Sequence, residues 1–116
     1  MVVVDIAQKE QLETLFGASS VVLNCTGPFR FLGDGVVLAC IAAGAHYLDI
    51  CGEPQFMESS FLNYHEAAKS KGVLILHACA FDSVPADLGA VFVSRQVRPP
   101  RYMRSYSLRV FASHLL

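Results

Sequence analysis

Four short runs rich in β-branched residues alternate with longer segments of helical period, and this alternation constrains the fold more than any other feature. The runs cover residues 2–4, 21–23, 47–50 and 73–76. Short continuous apolar runs are typical of strands buried on both faces, and strands that alternate with helices form βαβ units. The sequence therefore predicts an α/β fold with a parallel sheet and flanking helices.

The segments between these runs carry helix start and stop signals. The first helix is expected over residues 7–16, with Gly17 as its stop. The second is expected to be capped by Asp34 and to end at Gly44, and the third to run from Pro54 to Gly72. The stripes that should face the core are Leu12, Leu15 and Phe16, then Val36, Val37, Cys40 and Ile41, then Met57, Phe61, Tyr64 and Ala68.

The last third of the chain predicts one more helix and then a change of domain. A helix should begin near Asp82 or Ser83, run to about residue 97 and stop at two prolines, residues 99–100. Apolar and polar residues then alternate over residues 101–111, which is typical of a strand. We expect residues 1–98 to form part of one domain and residues 99–116 to be a linker and the start of a second, α+β domain.

Composition excludes several classes of protein. A hydrophobic fraction of 53% with 16% charged residues indicates a core-rich globular chain. The formal charge of −1 gives no general attraction to nucleic acid, and the five arginines that follow Asp87 are better explained as a solvated face than as a phosphate site. No apolar run has the length of a membrane span, and the first residues have neither the basic region nor the cleavage site of a signal peptide, so a soluble intracellular chain is expected.

Cysteine usage agrees with a reducing compartment. The four cysteines, at positions 25, 40, 51 and 79, form no C-x-x-C motif and stand within apolar runs, so we expect buried thiols. Cys25 and Cys51 lie at strand ends, but no base follows at a fixed spacing and neither is predicted to be a nucleophile. No metal-ligand spacing occurs either, so no metal site is predicted.

Three strand-end loops hold most of the residues that could bind a ligand. They span residues 24–29, 49–54 and 77–87, and are called the first, second and third loops below. Ligands of open parallel sheets bind beyond the carboxyl ends of the strands, where these loops should meet. Taken singly, each loop is explained as well by turns and caps. Their expected meeting at one sheet edge favours a cofactor cleft.

Asp49 and Glu53 admit two interpretations. Their carboxylates could bind ribose hydroxyls or do acid–base work in a partly dry site, or they could cap a helix, because negative charge is favoured at a helix N-terminus. The sequence leaves both open. Of the histidines, His46 and His65 are expected to be core or surface residues, and only His77, at a strand end, faces the expected cleft.

One motif of dinucleotide-binding folds is absent. No G-x-G-x-x-G occurs in the 116 residues, and the glycines at positions 33 and 35 lack a preceding strand. A strand, a glycine turn and a helix N-terminus normally hold the pyrophosphate. We expect this first βαβ unit to lie upstream of Met1, and the chain alone to be an incomplete, inactive fold.

Four stretches resemble the saccharopine dehydrogenase-like oxidoreductases and are similar to the related bacterial trans-acting enoyl reductases. They cover residues 21–33, 39–53, 72–73 and 81–89, and the resemblance extends over roughly residues 2–97. It implies an incomplete Rossmann-like domain that binds NAD or NADP, joined to an α+β substrate and dimerisation domain. The parent protein would transfer hydride to a lipid-like or amino-acid-like substrate.

The resemblance also indicates where the cofactor would lie. It places the first loop close to the cofactor. The expected topology, rather than the resemblance, puts Asp5 toward the adenine side and the second loop toward ribose or substrate. No catalytic residue is carried over with it. The residues expected to contact the cofactor are Asp5, Asn24, Cys25, Thr26, Gly27, Pro28, Asp49, Gly52 and Glu53.

Partners and location follow from the same resemblance. It implies a homodimer, no nucleic-acid partner, and a place in the cytoplasm, the mitochondrion or at lipid droplets and membranes. The alternative is a truncated, catalytically inactive isoform that acts as an interaction or dimerisation piece through open sheet edges.

Overall fold

The computed structural model describes residues 1–96 and divides the chain into two units, Met1–Ala80 and Phe81–Leu116. Three parallel strands alternate with three helices in the first unit, and one further helix is described in the second. The elements, in chain order, are α1 (Lys9–Phe16), β1 (Val21–Asn24), α2 (Phe29–Ala43), β2 (His46–Asp49), α3 (Pro54–Lys71), β3 (Ile75–Leu76) and α4 (Ser83–Gln96).

The strands form one sheet of order β1-β2-β3, which confirms the predicted parallel, Rossmann-like arrangement. Asn24 is paired with Asp49 in the register, so the two polar residues that end β1 and β2 lie side by side. Helix α2 packs against both of these strands and against α1 and α3. The carboxyl ends of the strands therefore carry the first loop, the second loop and the start of the third, residues 77–80, at one edge, as the sequence predicts.

Most of the residues predicted to end or begin helices do so in the structure. Gly44 and Gly72 follow α2 and α3 with φ of 76° and 67°, a left-handed conformation that costs glycine nothing. Pro54 opens α3, where its missing N–H would have no helical partner in any case. Helix α1 ends before Gly17, and α4 begins at Ser83, as expected.

Two predicted elements are wrong. Residues 2–4 form no strand, because no strand of the described residues pairs with them and Val2 and Val3 are exposed. Helix α2 begins at Phe29, so Asp34 lies inside the helix and does not cap it. The Asp34 carboxylate instead lies near the hydroxyl of Tyr64 on α3, and burial together with this carboxylate raises the pKa of Tyr64.

The buried stripes are only partly as expected. All four stripe residues predicted in α2 are buried, which confirms that face. Leu15 of α1 and Phe61 of α3 are exposed, so both predictions are wrong. In α3 the buried residues are Phe56 and Ser60, which the predicted stripe did not contain, and Ala68, which it did.

The predicted proline stop, the strand over residues 101–111 and the second domain lie outside the described residues. Within residues 1–96, no helix combines the length and apolar character needed to cross a bilayer. The four cysteines are free thiols. Cys40 and Cys51 are buried, but Cys25 is exposed and Cys79 is half-buried, so the expectation of four buried thiols is wrong for these two, which stand in loops beyond the strand ends.

Close packing of α2 on α3 depends on Gly33. A Cβ atom at position 33 would lie 2.3 Å from the Phe56 ring, far inside van der Waals contact. The Phe56 ring has little freedom to move away, because it is 3% exposed and packs against Phe29 and His77 at centroid distances of 6.1 Å and 5.2 Å. Gly33 therefore sets the distance between the two helices.

Alanine at position 33 should destabilise the chain, while alanine at position 35 should not. A Cβ at Gly35 meets no atom within 4 Å, so Gly35→Ala should raise the free energy of unfolding by about 0.5–1 kcal/mol through helix propensity. Gly33→Ala should lower it by about 1–3 kcal/mol, because overpacking outweighs the same propensity gain. Urea unfolding measures both variants, and equal effects would show that the Gly33–Phe56 contact is not close-packed.

Candidate functional site

The Asp49 carboxylate lies at the end of β2 and binds groups of β2, of the second loop and of the residues that follow β3. It is fully buried. Its Oδ1 accepts hydrogen bonds from the backbone N–H groups of Cys51 and Ala78, at 3.0 and 2.9 Å, and its Oδ2 accepts one from the Tyr47 hydroxyl at 2.9 Å and lies 2.7 Å from His77 Nδ1. A buried carboxylate needs such partners, since an unpaired charge in the interior is very costly.

These partners keep Asp49 ionised. Burial acts to raise the pKa of Asp49, but the hydrogen bonds from His77 and from the N–H groups of Cys51 and Ala78 outweigh it, and the pKa lies below its ordinary value of 3.8. The ionised carboxylate in turn acts on Tyr47, whose pKa is raised, first by burial and then also by Asp49. Tyr47 therefore stays a neutral hydroxyl that donates to Asp49.

A chain of hydrogen bonds extends from Asp49 to the first loop. Asn24 Nδ2 donates to the Tyr47 hydroxyl oxygen at 3.1 Å, and Asn24 Oδ1 accepts from the backbone N–H of Thr26 at 3.0 Å and from the Thr26 hydroxyl. The last two bonds form a local Asx turn that fixes the loop as it leaves β1. The loop then turns through a cis peptide bond between Gly27 and Pro28 into α2.

Glu53 joins the second loop to the first. Its two carboxylate oxygens accept hydrogen bonds from the backbone N–H groups of Phe29 and Arg30, at 2.8 and 3.0 Å. The first N–H groups of a helix have no partner within the helix, and α2 has no cap from its own side chains. Glu53 therefore caps α2 from 24 residues away in sequence, where its negative charge also suits the positive end of the helix dipole.

The structure divides the nine residues expected to contact a cofactor into three groups. Asn24 and Asp49 are buried and Glu53 is half-buried, and their polar atoms are used in the hydrogen bonds described above. Asp5 is exposed, accepts from the N–H of Ala7, and makes no hydrogen bond to the three loops within residues 1–96. The residues of the first and second loops that stand open to solvent are Cys25, Thr26, Gly27, Pro28 and Gly52.

The two exposed glycines of this edge are not required by packing within the chain. A Cβ at Gly52 would meet no atom within 4 Å, and one at Gly27 would make only ordinary contact with the Phe29 ring at 3.7 Å. Neither residue has the left-handed backbone that favours glycine, since the positive φ angles at glycine among the described residues belong to Gly44 and Gly72. Open space beside glycine backbone is what a ligand that approaches closely would need.

Sequence reasoning missed the role of Tyr47 and the partners of His77. His77 follows β3, and its Nδ1 reaches Asp49 across 28 residues of sequence. Two signals were present: Tyr47 and Asp49 are two apart in one strand and so share a face, and a carboxylate in an apolar run must find donors. The donor itself lies on another strand, which spacing along the chain does not show.

No group of three or more His, Cys, Asp or Glu side chains within residues 1–96 is arranged to hold a metal ion. Burial raises the pKa of the Cys40 thiol to about 12 and also raises that of Cys51, so both thiols are protonated and poor nucleophiles. Within residues 1–96, this edge of the sheet therefore offers a ligand oriented hydrogen-bonding groups and exposed loop backbone.

Replacement of Glu53 by glutamine should weaken the junction between the first and second loops. A glutamine side chain offers one acceptor oxygen where the carboxylate offers two, and its NH₂ group would face a backbone N–H. We expect Glu53→Gln to lower the free energy of unfolding by about 1–2 kcal/mol. Glu58→Gln, at an exposed position of α3, removes the same charge and is the matched control. Equal unfolding free energies for the two variants would contradict the cap.

The family model and the similar proteins point to the same family. The sequence profile of the family described as the saccharopine dehydrogenase NADP-binding domain matches residues 1–76. The human saccharopine dehydrogenase-like oxidoreductase is 46% identical over 97 residues, which are 84% of this chain and 23% of the human protein. No solved structure matches.

Two further relatives carry names that refer to a place in the cell. A protein of Arabidopsis thaliana, named a probable mitochondrial saccharopine dehydrogenase-like oxidoreductase, is 49% identical over 92 residues, 79% of this chain and 20% of that protein. A protein of Caenorhabditis elegans, named lipid droplet localized protein, is 39% identical over 95 residues, 82% of this chain and 22% of that protein. The chain thus spans less than a quarter of the length of these three relatives.

Proposed function

The chain belongs to the saccharopine dehydrogenase NADP-binding domain family, a family of NAD(P)-binding, oxidoreductase-like domains, and we propose that its three strand-end loops form the nicotinamide side of the cofactor cleft. One observation carries this proposal. Groups of the second and third loops bind one buried carboxylate, Asp49, and the first loop is linked to it through Asn24 and Tyr47, at the edge of the sheet where ligands of parallel folds bind.

The residues have different roles in this proposal. Exposed backbone and side chains of residues 25–28 and Gly52 contact the nicotinamide and its ribose, because these groups are open and unhindered. Asn24, Asp49 and Glu53 position the loops from beneath, since their polar atoms already bind protein groups. Asp5 lies toward the adenine side.

NADP is the proposed cofactor, because the matching family is described by its binding of NADP. The cofactor supplies the hydride when bound, and the loops orient it and exclude water. For the longer proteins of the family we propose hydride transfer to a lipid-like or amino-acid-like substrate, with residues 1–98 in the cofactor domain and residues 99–116 at the start of a second, α+β domain. The names of two relatives support a location at lipid droplets or in mitochondria.

A second candidate function, a non-catalytic association piece, is favoured by the outer face of the sheet. Val21, Leu23 and Leu76 lie on the face opposite Asn24 and Asp49, and their side chains are 53%, 58% and 43% exposed. Apolar sheet surface of this kind favours association with other chains. A shift of the chain to dimers in size-exclusion chromatography, with no response to either cofactor, would favour this candidate.

Titration with NADPH and NADH tests the proposed function. After circular dichroism has shown a cooperative melt, a saturable rise of the melting temperature with NADPH is expected, equivalent to about 1.4 kcal/mol at ten times the dissociation constant. Gly52→Leu should abolish the rise by filling the open space at the second loop, whereas Gly35→Ala, on helix α2, should leave it unchanged. A folded chain whose melting temperature responds to neither cofactor at millimolar concentration would overturn the proposal.

A further inference from the structure

His77 holds a buried nitrogen that the hydrogen-bond network does not use. Its Nδ1 lies 2.7 Å from Asp49 Oδ2, whereas its Nε2 is buried and has no hydrogen-bond partner within residues 1–96. A buried acceptor without a partner costs about 1–3 kcal/mol, and such atoms in native proteins call for an explanation.

The partner of Nδ1 decides which ring nitrogen is the acceptor. Both Asp49 oxygens are acceptors, because the carboxylate is ionised and already receives three other hydrogen bonds. In a neutral imidazole the proton therefore resides on Nδ1, and Nε2 presents a lone pair. A carboxylate that fixes the tautomer in this way also fixes the direction in which the other nitrogen points.

Aromatic packing holds the ring in that orientation. The rings of Phe56 and Tyr47 meet the His77 ring edge to face, at centroid distances of 5.2 and 5.8 Å. Only 14% of the His77 side chain is exposed. The fold already immobilises this side chain, so a ligand that binds to it would cause little further loss of conformational entropy.

The backbone next to His77 is strained. Ala78 has a φ of 57°, a left-handed conformation that costs a non-glycine residue about 1–2 kcal/mol. Its N–H is held by Asp49 Oδ1 in this conformation. Because Nε2 is buried, a ligand can reach it only after the backbone around it moves, and strained backbone of this kind is concentrated at ligand sites.

We propose that His77 Nε2 is a specificity-determining acceptor for a neutral hydroxyl or amide N–H donor of the nicotinamide nucleoside. This inference rests on the proposed function, because the donor belongs to the cofactor that the three loops bind. The carboxamide NH₂ and the ribose hydroxyls of NADPH are donors of the required kind. A carboxylate or phosphate of a ligand would be rejected by the same lone pair.

Two substitutions at position 77 separate this role from a structural one. Asparagine keeps a side-chain N–H near the position of Nδ1 but has no acceptor near Nε2, and glutamine has an acceptor near Nε2 but loses the short link to Asp49. His77→Asn should therefore weaken NADPH binding about fivefold, the loss of one neutral hydrogen bond, while His77→Gln, which keeps the acceptor but not the link that orients it, should weaken binding less than His77→Asn does. If His77 had only a structural role, His77→Asn, which keeps the link to Asp49, would bind NADPH more tightly than His77→Gln. His65→Asn, on the surface of α3, is the matched control.

Nitrogen NMR of the unmodified chain tests the same inference without a substitution that could impair folding. We expect Nδ1 to carry the proton in the free chain, and the Nε2 resonance to move upfield as NADPH saturates. If the chain binds NADPH while Nε2 stays unmoved, or if His77→Gln binds more weakly than His77→Asn, the inference is wrong and the proposed function stands. If the chain binds neither NADPH nor NADH, both fall together.

Discussion

The Asp49 carboxylate is the interaction on which the arrangement of this sheet edge depends. Four donors, from β2, from the second loop and from residues 77–78 after β3, converge on its two oxygens, and the loss of one partner of a buried charge is typically worth several kcal/mol. The ends of β2 and β3 could separate only if these donors lost their common acceptor. A short three-stranded sheet, whose β3 has two residues in the ladder, thus gains at its carboxyl edge an order that backbone pairing alone would not supply.

A second carboxylate extends this order from the sheet to the helices. Glu53 starts α3 and holds the first N–H groups of α2, while Gly33 lets the Phe56 ring of α3 press against α2. The two helices are therefore joined by a polar contact at their N-terminal ends and an apolar contact one turn further along. The first and second loops lie between these contacts and the Asp49 network, with their open backbone toward solvent.

Local structure was predictable from the sequence where a local interaction decides it. Gly44, Gly72 and Pro54 end or begin helices through their own backbone preferences, and those predictions are confirmed. The start of α2 was not predictable in this way, because its cap is Glu53, far along the chain. Residues 2–4 have strand composition, but a strand also needs a neighbour, which composition does not reveal.

The candidate site was likewise predictable only where local sequence decides it. Its position at the carboxyl edge follows from the parallel order of the strands, and Asp49 and Glu53 were singled out because they place two carboxylates in a strand-end loop at the start of a helix. The sequence left open whether these carboxylates cap or bind. In the structure Glu53 caps a helix and Asp49 binds protein donors, so the groups open to a ligand are the small residues beside them.

We propose that the nicotinamide cofactor contacts the open backbone of the first and second loops beside Asp49. Amide chemical shifts recorded while the chain is titrated with NADPH would locate this contact. We expect the largest changes at the amides of residues 25–27, 52 and 78, and no change at Gly44 and Gly72, which precede β2 and β3 at the opposite edge of the sheet. Changes centred on Gly44 and Gly72, with residues 25–27 unmoved, would contradict it.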